Sequence, residues 1–200
     1  MVILLLAAAL LAVRVGVRRI YRIPASWRSS IVETLDASIF AALLSLVIIT
    51  FVVQAFYIPS GSMEPSLQVG DRILVSKFTH RAFGIRRGDI VVFRYPLNPG
   101  KDFVKRVVAL PGERVQLKDG VVLINGRPVQ ELYPTALPAG DRDCTSNYGP
   151  TAVQAGQLFV LGDNRCNSED SRFFGFVPMP NVIGKALVIY WPLHRIGLAK

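Results

Sequence analysis

The chain reads as a mainly β domain carried behind two N-terminal transmembrane helices. Three observations predict this. Two long apolar runs fill the first 58 residues, every glycine and proline except Gly16 and Pro24 lies beyond them, and the remainder breaks into short β-rich runs separated by turn residues. Composition agrees: of 200 residues, 51% are hydrophobic and 18% charged, and the mean hydropathy is +0.38. Soluble chains carry about 25% charged residues, so part of the apolar excess implies a non-aqueous surrounding. The net charge of +9 comes without a Lys/Arg stripe interleaved with aromatics, so no nucleic-acid partner is expected. Two cysteines and no CxxC or His/Cys cluster disfavour a disulfide scaffold and a zinc site. With His80 and His194 as the only histidines, a mechanism using several of them is excluded.

The elements follow in order. Residues 1–17 are apolar apart from Arg14, which lies near one end and is expected to snorkel to the interface. A cleaved signal peptide is the rival reading, but its basic residues should precede the apolar run and here they follow it. Residues 18–36 hold Arg18, Arg19, Arg22 and Arg28 against Glu33 and Asp36, which predicts a loop on the cytoplasmic side. Residues 37–58, ASIFAALLSLVIITFVVQAFYI, carry no charge and match the roughly 20 residues that cross a hydrocarbon core. Everything from 59 to 200 is then extracytoplasmic, which in a bacterium means the outer side of the cytoplasmic (inner) membrane.

In 59–200 the runs DRILVSKF, DIVVFRY, DFVKRVVAL, RVQLK, VVLING, QLFVLG and KALVIYW are short and rich in Val, Ile, Leu and Phe, which reads as strands. VVLINGRPV contains Asn-Gly, a strong hairpin signal. Strands this apolar imply sheets covered on both faces, or a face that meets lipid. Tyr133 to Pro150, rich in Pro, Gly and polar residues, reads as a long loop or small insertion.

Directly after the second apolar run comes Ile58 to Leu67, IPSGSMEPSL. Pro59, Gly61 and Pro65 make a non-helical loop around Ser62, and an extended backbone puts Ser60 and Ser62 on one side. A polar turn capping a membrane helix has the same composition; the location favours a reactive loop acting at the bilayer. A serine nucleophile needs a base, and no His/Asp pair offers itself. His80 reads as a solvated loop residue in a basic segment, and His194 lies near the C-terminus. A lysine can serve if burial lowers its pKa from about 10.4. In DFVKRVVAL, alternation places Phe103, Lys105, Val107 and Ala109 on one face. Lys77 and Lys185 fit almost as well, and periodicity does not choose among the three. A last segment, GDNRCNSEDSRFFGFVP from Gly162 to Pro178, is dense in polar side chains. It fits an exposed loop or a hydrogen-bonded support for a site.

Taken in order behind a membrane anchor, PSGSMEPSL, GDRILVSKF, GDIVVFRYP, KRVVALPGE and GDNRCNSEDSR, with ALVIYWPLHRIG closing the chain, resemble the bacterial type I signal peptidases (leader peptidases). The resemblance spans essentially the whole chain. It implies a signal-peptidase-like catalytic domain and a membrane-anchored serine endopeptidase that cleaves signal peptides from exported preproteins through an acyl-enzyme. Ser62 then matches the nucleophile and Lys105 the general base. The Ser62 N–H and Ser60 hydroxyl match the oxyanion hole, and Ser168 matches a serine that orients the lysine amine. Asp170 and Arg172 match a supporting ion pair, and Met63 and Pro65 shape the nucleophile loop. Preproteins with Ala-x-Ala cleavage sites and the phospholipid bilayer are the implied partners, and no metal or other cofactor is implied.

The family usually has Asp where this chain has Cys166, which removes one charge from that segment's network. In an oxidising compartment a Cys144–Cys166 disulfide is expected to close a loop of about 20 residues, worth about 3 kcal/mol; two free thiols are the alternative. Between Lys105 and Gly162 the chain is short, where larger relatives carry an extra β-rich insertion. Two further readings stand beside the main one: a specialised Ser/Lys peptidase of conjugation or organellar inner-membrane type, and a non-catalytic membrane-anchored β-domain that binds peptides.

Overall fold

The computed structural model describes residues 8–9, 11–16, 25–135 and 147–199, in two compact units, Met1–Val53 and Gln54–Lys200. In the first unit, residues 8–9 and 11–16 are helical; the rest of the 1–17 segment and residues 18–24 of the basic loop lie outside the described residues. Helix α1 (Ala25–Val47) continues into a π-helical turn, Ile48–Val52. Among the described residues one helix, Ser29–Val52, is long and apolar enough to cross a membrane, with a mean hydropathy of 2.3. Two of its hydroxyls are satisfied locally: Thr34 Oγ1 donates to Ser30 O at 2.9 Å and Ser38 Oγ to Thr34 O at 2.8 Å, the back-bonding that hydroxyls make in a helix.

Two sequence expectations change here. The stretch expected as loop up to residue 36 is helical from Ala25, and the helix expected over 37–58 stops at Val52, because Val53–Tyr57 forms strand β1. Hydropathy does not separate a helix from a strand inside one apolar run, and VQAFY has the β-branched and aromatic residues that suit a sheet edge. Arg14 pairs with Asp36, Nη2 donating to Oδ2 at 3.1 Å. Charged groups in apolar surroundings gain most from a partner of opposite sign.

The second unit is built on two sheets. The larger one joins β1 to β2 (Arg72–Ser76), β3 (Ile90–Arg94), β4 (Asp102–Ala109), β9 (Gln157–Leu161), β10 (Val177–Pro178), β11 (Val182–Trp191) and β12 (Gly197–Leu198). Its eight strands run in the order β1-β2-β11-β3-β4-β9-β10, with β12 also paired to β11. The smaller sheet is made from β5 (Arg114–Lys118), β6 (Val121–Ile124), β7 (Arg127–Pro128) and β8 (Tyr148–Ala152), in the order β7-β6-β5-β8. All seven β-rich runs read from the sequence are strands. The Asn-Gly turn is where expected: Asn125 and Gly126 take φ of 52° and 78°, both positive as a type I′ hairpin requires. Asp119 and Gly120, at 50° and 80°, make the same turn one hairpin earlier. Two short helices, α2 (Thr79–Phe83) and α3 (Ser171–Phe174), interrupt an otherwise β unit.

The central strands are apolar because both of their faces are buried. In β3, Ile90 and Val92 enter one core with Ile58, Met63, Leu67, Ile73 and Val75. Val91 and Phe93 enter another with Val107, Leu158 and Val160. Strand β9 alternates likewise, its Phe159 and Leu161 entering a third core shared with the small sheet. A register shift between Val107 and Ala109 inserts one residue into β4, and a bulge of this kind reverses the facing of the residues beyond it. Val107 therefore shares a core with Phe103, while Ala109 joins Val108 in the small-sheet core. Simple alternation places Ala109 on the Lys105 face, and the bulge corrects it.

Candidate active site

The loop from Ile58 to Leu67 is pinned at both ends and in the middle. Ile58 and Leu67 are buried at its two ends and Met63 in its middle, with 1% of the methionine exposed. Ile58 N–H donates to Asp71 O and Leu67 N–H to Met63 O, each at 2.9 Å. Ser60 is extended (φ −135°, ψ 153°) and precedes a 3-10 turn, Gly61–Met63, that carries Ser62. Both serines line a cleft of about 420 Å³ together with Phe56, Ile58, Met63, Phe103, Val104 and Lys105.

Lys105 comes from the middle of β4, opposite Val91 of β3. It is 4% exposed, and its Nζ donates to Ser62 Oγ at 2.7 Å. Burial pushes the ammonium down from 10.5 to about 8, while Asp170, Glu169 and Asp163 pull it back up. The order is what desolvation of a buried amine predicts. Of the three lysines that alternation left open, this is the one beside the serine; Lys185 is bound to Asp89 at 2.5 Å. His80 lies half-buried in α2 instead of in a solvated loop, with its imidazole pushed down by burial and by Arg81. Neither histidine lines the cleft.

The segment from Gly162 packs under Ser62. Asn164 donates its N–H to Ser62 O at 3.1 Å and its side-chain amide to Gly61 O at 3.2 Å. Gly162 sits so close that a Cβ there would fall 2.5 Å from Ser62 O and 2.2 Å from Ser168 Oγ, so only glycine fits. Asp170 is fully buried. It accepts from Gly162 N–H at 3.1 Å and caps α3 through Arg172 N–H. It also receives the Arg172 guanidinium at 2.8 and 2.9 Å. Ser168 departs from the expectation. Its hydroxyl is buried beside Gly162 and makes no hydrogen bond among the described residues, while the Lys105 amine donates to Ser62.

Several contributors were not singled out from the sequence. Arg106, next to Lys105, is 2% exposed and binds both oxygens of Asp163 at 2.7 and 2.6 Å. Its remaining donors reach Gly88 O and Ser66 Oγ. An arginine in an otherwise apolar strand is the signal that would have flagged it, since a buried charge demands a partner. Arg165 pairs with Glu131, which returns a carboxylate to the segment in which Cys166 stands. Cys166 is disulfide-bonded; Cys144, the chain's other cysteine, lies outside the described residues. Among the described residues no cluster of His, Cys, Asp and Glu forms a metal site.

A serine hydroxyl on a buried lysine amine, in an apolar cleft, is the equipment of acyl transfer without histidine. Comparison with known proteins agrees. Residues 31–191 match the signal peptidase family, peptidase S26. The chain is 45% identical to signal peptidase I of Leptolyngbya laminosa over 84% of each chain. It is 44% identical to the probable signal peptidase I-2 of a Synechocystis species, over 79% of this chain and 72% of that one. Against signal peptidase I of Pseudomonas fluorescens the identity is 37%, over 78% and 74%. A crystal structure of a signal peptidase I from Enterococcus faecalis V583 is 36% identical, with a TM-score of 0.43, over 50% of this chain and 95% of that one. With its motifs in family order and 161 residues, 31–191, inside the match, the chain belongs to the signal peptidases, peptidase S26.

Proposed function

We propose that this chain is a membrane-anchored serine endopeptidase that removes signal peptides from preproteins, with Ser62 as nucleophile and Lys105 as general base. The observation that carries this is the 2.7 Å contact between Lys105 Nζ and Ser62 Oγ, made by an amine that burial pushes down to about 8. Neutral Lys105 takes the Ser62 proton, and Oγ attacks the carbonyl at the end of the signal peptide. The Ser62 N–H and the Ser60 hydroxyl hold the oxyanion. Lys105 returns the proton to the departing amine of the mature protein, then deprotonates the water that hydrolyses the acyl-enzyme. Ser168 keeps a buried hydroxyl without a partner in this state, available to the amine once it turns from Ser62. The Asp170–Arg172 pair holds the segment beneath.

The apolar side chains around the cleft suit the small residues of an Ala-x-Ala site. The cluster of Arg18, Arg19, Arg22 and Arg28 supports a cytoplasmic end for the anchor and an extracytoplasmic catalytic unit on the bacterial inner membrane. The bond at Cys166 fits an oxidising compartment, with Cys144 as its partner. Exposed Trp191, Leu193, Ile196 and Leu198 support contact with the bilayer.

Two measurements test the chemistry. The base must be neutral, so kcat/KM for an Ala-x-Ala peptide should rise with pH through about 8, where Lys105 loses its proton. A flat profile from about pH 6 to 9 argues against an amine base. Ser60→Ala should lower kcat about 100- to 1,000-fold with little change in KM, as loss of one oxyanion donor does; an unchanged kcat removes Ser60 from that role.

A further inference from the structure

The connection that leaves the small sheet after β7 does not run free of the catalytic unit. Three residues past Pro128, Glu131 forms an ion pair with Arg165 in which the arginine side chain is 2% exposed and the glutamate 16%. Arg165 Nε in turn donates to Gly162 O at 3.1 Å. Two residues further on, the Tyr133 ring lies 4.1 Å from the guanidinium of Arg106. Its hydroxyl donates to the same Glu131 carboxylate at 2.6 Å. One short segment thus touches both buried arginines beneath the cleft. Burial and the Glu131 carboxylate push the Tyr133 phenol up, so it stays a hydrogen-bond donor across the working pH range.

What these arginines hold makes the contact more than ordinary packing. Gly162 and Asn164, on the N-terminal side of Arg165, are the residues that touch the nucleophile's backbone. Asn164 binds Ser62 O and Gly61 O, and Gly162 is in closest packing with Ser62 O. Arg106 fixes Asp163 between them with a two-pronged bond and directly follows Lys105 in β4. A continuous path therefore runs from Glu131 through Arg165 to the backbone of Ser62, and from Tyr133 through Arg106 to the strand of Lys105. Stability alone is a weak reason for such a pair, because a buried ion pair is often no better for stability than apolar residues of the same volume.

We propose that Glu131 and Tyr133 are positioning residues for the peptidase reaction, holding Arg165 and Arg106 so that Ser62 stays in line with Lys105. The proposal rests on the Ser62/Lys105 reading above. The segment belongs to the connection from β7 to β8, two strands of the small sheet, so the small sheet takes part in setting the geometry of the reacting serine.

The test uses the full-length chain in detergent with an Ala-x-Ala peptide. Glu131→Gln keeps the shape and removes the charge. Its kcat should fall about 10- to 100-fold, the scale of a misplacement near 1 Å, with KM within about twofold of wild type. Tyr133→Phe, which keeps the ring on Arg106 and loses the hydroxyl, should show a smaller fall in the same direction. The double variant Glu131→Gln/Arg165→Met removes the unpaired buried charge, so its melting temperature should return toward wild type while kcat stays low. That split is what a purely structural pair does not give. Wild-type kcat in folded Glu131→Gln, a loss confined to KM, or recovery of kcat together with stability in the double variant would each overturn the proposal. If Glu131→Gln does not fold, kcat of the double variant decides. Ser62→Ala in the same assay separates the two readings. A Ser62→Ala enzyme that still cleaves removes the dyad itself. An inactive one beside fully active Glu131 variants removes the positioning role alone.

Discussion

Ser62→Ala and Lys105→Ala are each expected to lower kcat about 10⁶-fold, and the double variant to be no worse than either one. Nucleophile and base act as a unit: the lysine has nothing to deprotonate without the hydroxyl, and the hydroxyl is a weak nucleophile without the amine. The 2.7 Å contact, with 4% of Lys105 exposed, puts the amine within reach of the hydroxyl proton. Neither change should unfold the chain, and the lysine replacement should stabilise it near neutrality. The sign follows from linkage. The folded pKa, about 8, lies below the ordinary 10.5, so between those values the unfolded chain binds more protons and stability rises with pH. Below about pH 8 the fold carries a desolvated ammonium, a cost that Lys105→Ala removes. The measurement is single-turnover cleavage of a preprotein alongside thermal melting of each purified variant. Residual cleavage within about 100-fold of wild type for either single variant would end the assignment.

Asp163→Asn should have the largest effect on stability. It leaves the Arg106 guanidinium buried at 2% exposure with its charge uncompensated, and breaking a buried pair in this way costs about 3–5 kcal/mol. For a chain of this size that corresponds to a drop in melting temperature of roughly 6–20 °C. The loss should be selective. Arg106→Met/Asp163→Leu, which removes both charges and keeps the volume, should recover most of the melting temperature without recovering activity, since Asp163 sits between Gly162 and Asn164 against Ser62. A melting temperature within about 2 °C of wild type for Asp163→Asn would mean that Gly88 O, Ser66 Oγ and the Tyr133 ring are enough to offset the buried charge.

Much of this was legible in the sequence, for identifiable reasons. The seven strands and the Asn-Gly hairpin follow from periodicity and turn chemistry, which act over a few residues. Ser62 stands out through Pro59, Gly61 and Pro65 around it, and Gly162–Arg172 through its density of polar groups. The choice of Lys105 over Lys77 and Lys185 is not local. All three lie in β-rich runs, and only the pairing of β3 with β4 brings one of them to the serine loop. Hydropathy carries the membrane helix on to Ile58 instead of Val52, because Val53–Tyr57 is as apolar as the helix before it. Alternation puts Ala109 on the wrong face because a bulge leaves no mark in an apolar run. Glu131 and Tyr133 give no signal at all. Each is an ordinary polar residue in a Pro-rich loop, and its meaning comes from arginines 34 and 27 positions away.

The extra residue in β4 has a consequence for how such enzymes can diverge. Upstream of it the strand carries Phe103, Val104 and Lys105 to the cleft; downstream, Val108 and Ala109 serve the small sheet. One continuous strand is thereby divided into two addresses that natural variation can edit separately. The strands of the small sheet can be enlarged, trimmed or refitted from their own side of that step while the amine keeps its aim, as long as the Glu131 and Tyr133 contacts with Arg165 and Arg106 are kept. The bulge is a graft junction, and an architecture with such a junction can change its outer parts often and its chemistry rarely.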